Sequence, residues 1–242
     1  MKEKLLQGCA QLPNIVTFGN LLCGITAIML ATRGYFLAAP LVIFFAGALD
    51  VLDGVLARRF RGGDAFGEAL DSLADIISFG IAPALLIYEG FLQPWPILGW
   101  VVAGGYAICG AWRLARFAAA EKTPFFQGLP ITMAGMTVSA FLFYPNFWSP
   151  RAVAIFTLIL AVLMISHLRF PKVPMLLRPF PRPARAILLL GILVAAIVFS
   201  PGSVLTALGL TYFGLAILEN LGFWDAVADG PVGDMVAKLR NR

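Results

Sequence analysis

Four aspartates stand where a membrane span tolerates charge poorly. Asp50 and Asp53 are three residues apart, Asp71 and Asp75 are four apart, and both pairs lie in long apolar runs. An ionisable side chain within a bilayer span costs at least about 2.5–3.5 kcal/mol on insertion scales, so such positions are the first candidates for function. On helices, these spacings set each pair on one face, a turn apart. A short turn around Arg61-Gly62-Gly63-Asp64 joins the two runs, so the helices are expected to run antiparallel with both pairs at one depth. Two like charges ~4 Å apart repel by about 4 kcal/mol at an effective dielectric of 20. Four converging carboxylates must therefore be neutralised by protons or cations. An all-oxygen ligand set selects hard divalent ions, Mg²⁺, Mn²⁺ or Ca²⁺, over zinc. One such pair alone could be an interhelical hydrogen bond or an interfacial cap; two facing pairs argue for a metal site.

The neighbours narrow the chemistry. Gly54 and Ala57 remove bulk from the second helix, and Gly67 opens the third, so a flat ligand or a neighbouring backbone can come close. Arg58 follows one turn after Gly54, and its fixed fork of donors suits phosphate oxygens. Divalent metal, arginine and close-approach glycines at a membrane face suit phosphoryl transfer on a lipid-soluble diphosphate. A cation channel would also use carboxylates, but the adjacent arginine would repel its ion.

The elements that must position these groups are set by composition. The chain has 242 residues, 60% hydrophobic and 13% charged, against roughly 25% charged in a soluble domain. This excludes a disordered chain, a solvated nucleic-acid-binding domain and a disulfide-stapled secreted module. The cysteines (Cys9, Cys23, Cys109) have no metal spacing, and Cys23 and Cys109 read as small packing residues. A span needs ~20 apolar residues. Runs near 13–31, 37–57, 68–88, 95–112, 129–147, 152–168, 185–200 and 203–221 qualify, with Pro145 and Pro201 crowding the ends of the fifth and seventh. The expectation is an all-α integral membrane protein of about eight transmembrane helices, forming a single domain over 1–242. With the N-terminus in the cytoplasm, alternate loops on that side hold sixteen of the 18 Lys and Arg, leaving only Arg33 and Arg151 outside. That bias places both termini in the cytoplasm. His167, the single histidine, reads as an interface residue, and the basic, Pro-rich stretch 170–185 as a cytoplasmic loop.

The full string, Asp50-x2-Asp53-Gly54-x2-Ala57-Arg58-x8-Gly67-x3-Asp71-x3-Asp75, resembles the signature of the CDP-alcohol phosphotransferase family, with every fixed position and gap in place. The stretches Leu12–Gly24, Gly67–Tyr88, Arg113–Phe117, Gly128–Pro130 and Leu163–Pro171 resemble its phosphatidylserine synthase branch, over roughly residues 12–175. The resemblance implies a homodimer of the cell membrane, with a six-helix core, two further helices at about 185–221, and a site open to the cytoplasm. It implies phospholipid synthesis: transfer of the phosphatidyl group from CDP-diacylglycerol to the hydroxyl of L-serine, giving phosphatidylserine and CMP. It also implies two divalent cations, Mg²⁺ or Mn²⁺, with Ca²⁺ as a possible non-catalytic occupant. Carried across position by position, Asp50, Asp53, Asp71 and Asp75 match the metal-binding aspartates, and Asp75 the general base. Gly54, Ala57 and Gly67 match positions packed against the cytidine, and Arg58 an arginine near the nucleotide. Asn14 and Thr17 match a "PN-x2-T" that either touches the diphosphate or is a polar pair at a helix start.

Serine carries a carboxylate, so its pocket should include a cation; Arg113, Arg116, Arg169 and Lys172 are the candidates, though the positive-inside rule alone accounts for some of them. The chain departs from the branch twice: Ala118 follows "RLARF" in place of asparagine, and Ile131-Thr132 follows "GLP" in place of a serine-proline pair. Both lie where acceptor or lipid would be read. The alternatives are therefore another acceptor alcohol, such as glycerol phosphate, inositol phosphate or an aminoalcohol, and an archaeal-type ether CDP-lipid. From a different class come a divalent-cation transporter, which would spread its acids through the bilayer depth, and a structural subunit, which would leave the aspartates unexplained.

Overall fold

The computed structural model describes residues 2–60, 65–119 and 126–170. Two compact units divide the chain, residues 1–121 with 129–165, and residues 122–128 with 166–242. All the described helices belong to the first. In the second, the described residues form a two-residue antiparallel pairing of β1 (Phe126–Gln127) with β2 (Arg169–Phe170), a small departure from the all-helical expectation.

Helix α1 (Lys2–Thr32) packs along α2 (Ala38–Phe60). The hairpin between them turns at Gly34, whose φ of 79° is left-handed. There Gly34 N–H donates to the Ala31 carbonyl at 3.0 Å and Tyr35 N–H to the Leu30 carbonyl at 2.9 Å, a Schellman closure of the helix end.

From Ala65 to Leu92 the chain stays helical but changes pitch twice. Helix α3 (Ala65–Asp75) runs into a π-helical turn (Ile76–Ile81), then α4 (Ala82–Ile87), then a second π turn (Tyr88–Leu92). Such turns often mark functional positions, and the first begins directly after Asp75. Pro83 has no N–H to return to the Phe79 carbonyl one turn back. The buried Tyr106 hydroxyl, from α5 (Pro96–Ala119), donates to that carbonyl at 3.0 Å.

This interrupted helix is the axis of the bundle: 56% of its most apolar stretch is buried, against 28% for Pro13–Thr32 and 33% for Ala38–Ala57. Its neighbours approach it backbone to backbone. A methyl group on Gly24 of α1 would sit 2.8 Å from Ser78 Cα. One on Gly135, in α6 (Ile131–Ala140), would sit 2.7 Å from the Phe79 carbonyl oxygen. Small residues permit this spacing where no hydrophobic force draws helices together. Outward, α1 exposes Ile15, Phe18, Leu22 and Ile25, the apolar face a helix presents to hydrocarbon.

Among the described residues, four helices are long and apolar enough to cross a membrane: Pro13–Thr32, Ala38–Ala57, Ala65–Leu92 and Pro96–Ala119. They correspond to the first four expected spans. The next two runs form shorter apolar helices than the sequence suggests. Helix α6 has 10 residues and its 3₁₀ extension (Phe141–Phe143) has 3, about 20 Å in all, against a hydrocarbon core of ~30 Å. It stops where the turn around Pro145 begins. Helix α7 (Pro150–Ile165) has 16 residues. The expected spans at 185–200 and 203–221 lie outside the described residues.

Candidate active site

The aspartates meet as their spacing requires, in an arrangement of three plus one. Asp50 and Asp53 lie on α2, and Asp71 on α3. One carboxylate oxygen from each lies within 4.8 Å of the others. At that separation each ionised pair would repel by about 3.5 kcal/mol at an effective dielectric of 20. Over three pairs this is about 10 kcal/mol, as large as the stability of a typical domain. The residues fit a hard divalent cation. All the donors are oxygens, and Asp71 Oδ1 is buried and accepts no hydrogen bond. Asp75, one turn further along α3, is buried and stands apart from this close triad, near enough for the charges of the other three to act on it.

Side chains on helices that carry none of these aspartates approach three of the four. From α1, the Thr17 hydroxyl lies 3.0 Å from Asp53 Oδ2 and 2.9 Å from the Pro13 carbonyl. Asn20, fully buried one turn on, donates from Nδ2 to Asp75 Oδ1 at 3.4 Å. Ser78 Oγ donates to the Asn20 carbonyl at 2.9 Å, tying α1 to the π turn that follows Asp75. From α6, Thr132 Oγ1 donates to Asp50 Oδ2 at 3.2 Å. Reading the sequence for charge had singled out neither Asn20 nor Thr132 as a site residue. A signal for Asn20 was available: it is three residues after Thr17, on the same helix face. Nothing local to Thr132 pairs it with Asp50, 82 residues away.

The remaining candidates divide. Gly54 and Ala57 lie half-buried on the Asp50 face of α2, and Gly67 lies half-buried one turn before Asp71. Asn14 is half-buried on α1, one turn before Thr17, and Arg58 is in the last turn of α2. Arg113 is buried on α5, and its charge reaches Asp50 and Asp75. Among the described candidates for an acceptor-site cation, it is the one whose charge acts on these carboxylates. Arg116 donates instead to the carbonyls of Ile165 at 2.8 Å and Met164 at 3.2 Å, capping the end of α7. Arg169 stands in β2 opposite Gln127, and Lys172 lies outside the described residues.

Comparison with known proteins gives this geometry its context. Residues 10–213 match the family profile described as CDP-alcohol phosphatidyltransferase. The chain belongs to that family. It is 38% identical over 161 residues to a CDP-diacylglycerol–serine O-phosphatidyltransferase of Bacillus subtilis, covering 66% of this chain and 89% of that protein. It is 35% identical over 178 residues to an archaetidylserine synthase of Methanothermobacter thermautotrophicus, covering 72% of this chain and 75% of that one. A CDP-diacylglycerol–serine O-phosphatidyltransferase of Mycobacterium tuberculosis is 32% identical over 204 residues, covering 78% of this chain and 71% of the relative. Membership makes the carboxylate cluster, held between long apolar helices, the candidate active site of an integral membrane phosphatidyltransferase.

Proposed function

We propose that this protein transfers the phosphatidyl group of a CDP-activated lipid to the hydroxyl of L-serine, releasing CMP. The observation that carries the reading is the convergence of Asp50, Asp53 and Asp71 within 4.8 Å, with Asp75 behind them, inside a chain of this family. The relatives named for serine supply the acceptor, and the buried Arg113 beside the aspartates supplies a partner for its carboxylate. The whole chain is read as one membrane domain whose core spans about 12–175. Its site faces the cytoplasm of the cell membrane, as the distribution of basic residues favours. The protein is read as a homodimer.

In this reading Asp50, Asp53 and Asp71, with Asp75 at the edge, would hold two divalent cations, Mg²⁺ or Mn²⁺. When bound, such ions neutralise the diphosphate oxygens and stabilise the charge that builds up in transfer and on the leaving CMP. The chain does the rest. Gly54, Ala57 and Gly67 leave room for the cytidine on the aspartate face, with Arg58 and Asn14 on the nucleotide side. The serine hydroxyl has a pKa far above 7 and needs a base within ~3 Å, a role assigned to Asp75. The serine oxygen forms its bond to the lipid-linked phosphorus, the bond from phosphorus to the CMP oxygen breaks, and Asp75 takes the hydroxyl proton.

The test is CMP release from membranes containing the protein, supplied with Mn²⁺ or Mg²⁺ and either a CDP-diacylglycerol or its ether analogue. Serine, glycerol 3-phosphate, inositol phosphate and no acceptor are compared, with Asp75→Asn as control. Release that needs serine and metal and disappears in the variant supports the reading. Release with a different acceptor keeps the mechanism and replaces serine. No release with any pairing from folded protein overturns the enzyme and turns attention to cation flux.

A further inference from the structure

We propose that Thr17 and Thr132 are positioning residues of the metal site: two neutral hydroxyls, on helices that supply no ligand, that set the orientation of Asp53 and Asp50 before an ion arrives. The proposal rests on the reading of these aspartates as metal ligands.

Three carboxylates that repel one another will swing apart unless something fixes their rotamers. Each hydroxyl engages one oxygen, Oδ2 of Asp53 at 3.0 Å and Oδ2 of Asp50 at 3.2 Å, so neither threonine occupies the second oxygen of its carboxylate. Thr17 is itself held. Its hydroxyl lies 2.9 Å from the Pro13 carbonyl, one helical turn back, and Thr17 is buried. A threonine in a helix has few rotamers, and the one that turns its hydroxyl back along the helix is the one that faces Asp53. The Pro13 carbonyl does not depend on this proton, because the Thr17 N–H is its ordinary helical donor, so the hydroxyl is available to the carboxylate.

Thr132 is fixed differently. It is the second residue of α6, directly after Pro130, whose extended backbone (φ −57°, ψ 135°) sets the start of the helix. The Pro130 carbonyl accepts from Ala134 N–H at 3.0 Å, and Gly135 lies flat against the Phe79 backbone. The first turn of α6 therefore cannot slide without breaking a backbone contact, and Thr132 presents its hydroxyl to Asp50 from a rigid base. Asp71 is the exception in the triad: its Oδ1 is buried without a donor.

Outer-shell partners of metal ligands typically contribute 10–100-fold in metal affinity. The experiment is a Mn²⁺ titration, followed by the EPR signal of the free ion, on the full chain in nanodiscs. Thr132→Val and Thr17→Val keep the side-chain shape and remove the hydroxyl. Each is expected to weaken Mn²⁺ binding by about 10-fold, with Thr132→Ser within twofold of wild type. The titration is made well below the metal-free unfolding temperature, which the loss of a buried hydrogen bond is expected to lower, so that weaker binding is read on folded protein. Wild-type Mn²⁺ binding in both valine variants overturns the proposal. So does an equal loss in Thr132→Ser, or a metal-free destabilisation that accounts for the weaker binding. A wild type that binds no Mn²⁺ overturns it together with the metal site. Serine-dependent CMP release by the wild type is scored separately: binding that shifts as expected in a protein that releases no CMP leaves this proposal standing and removes the transferase reading.

Discussion

Replacing Gly24 by alanine should disable the protein from a position outside the site. The added methyl would lie 2.8 Å from Ser78 Cα and 3.0 Å from Ser78 N, both backbone atoms with no rotamer to escape into. Carbon atoms rest about 3.5–4.0 Å apart, so α1 must withdraw from the π turn by about 1 Å. One turn before Gly24, Asn20 donates to Asp75 at 3.4 Å, already near the limit of a hydrogen bond. The same withdrawal takes that contact beyond 4 Å by simple addition and releases Asp75. Overpacking of this kind costs about 1–3 kcal/mol of stability. A displacement of about 1 Å at a catalytic group can cost 10²-fold in rate, near 2.7 kcal/mol of barrier. The expected result is a kcat for CMP release about 100-fold below wild type, with a lowered unfolding temperature in nanodiscs. Gly104→Ala and Gly105→Ala are the controls, because a methyl at either position meets nothing within 4 Å; both should stay within about twofold of wild type. A Gly24→Ala protein with wild-type kcat and stability would refute the claim that close approach of α1 to the π turn positions Asp75.

Three further outcomes follow from the same geometry. Chelation of divalent ions should abolish CMP release, with Mg²⁺ or Mn²⁺ restoring it and Zn²⁺ failing, as an all-oxygen donor set requires; full activity in excess EDTA would contradict this. Tyr106→Phe removes the donor to the buried Phe79 carbonyl and should lower stability by about 1–3 kcal/mol, read by thermal unfolding; an unchanged midpoint would mean that the carbonyl finds another donor. Arg113→Gln should raise the serine KM by about 10-fold or more, the worth of a charged hydrogen bond. A loss confined to kcat would instead assign Arg113 to the aspartates that its charge reaches.

The chemistry was readable from the chain because charge in an apolar run is rare and helical periodicity is rigid. Asp50 with Asp53, and Asp71 with Asp75, could face each other only if both segments were helices joined by a tight turn, and the apolar runs required the helices. The first four spans were readable for the same reason. The ends of the later helices were not: α6 reads as apolar well past Phe143, and only the turn around Pro145 ends it. The two π turns left no clear mark, since hydropathy is blind to a single extra residue per turn. Arg116 shows the limit of counting charge. It shares a five-residue stretch with Arg113, yet one side chain lies buried beside the aspartates and the other caps α7.

By itself the sequence determined an apolar helical chain, the pairing of four carboxylates and the need for protons or a cation to neutralise them. Each of these depends on residue type and local spacing, which the chain carries along its length. The tertiary structure alone decided which carboxylate stands apart, and which neutral side chains hold the others. Asn20 reaches Asp75 across 55 residues and Thr132 reaches Asp50 across 82. Such contacts exist only because Gly24 and Gly135 let two helices close onto one π turn, and a packing distance of that kind depends on all the surrounding helices at once.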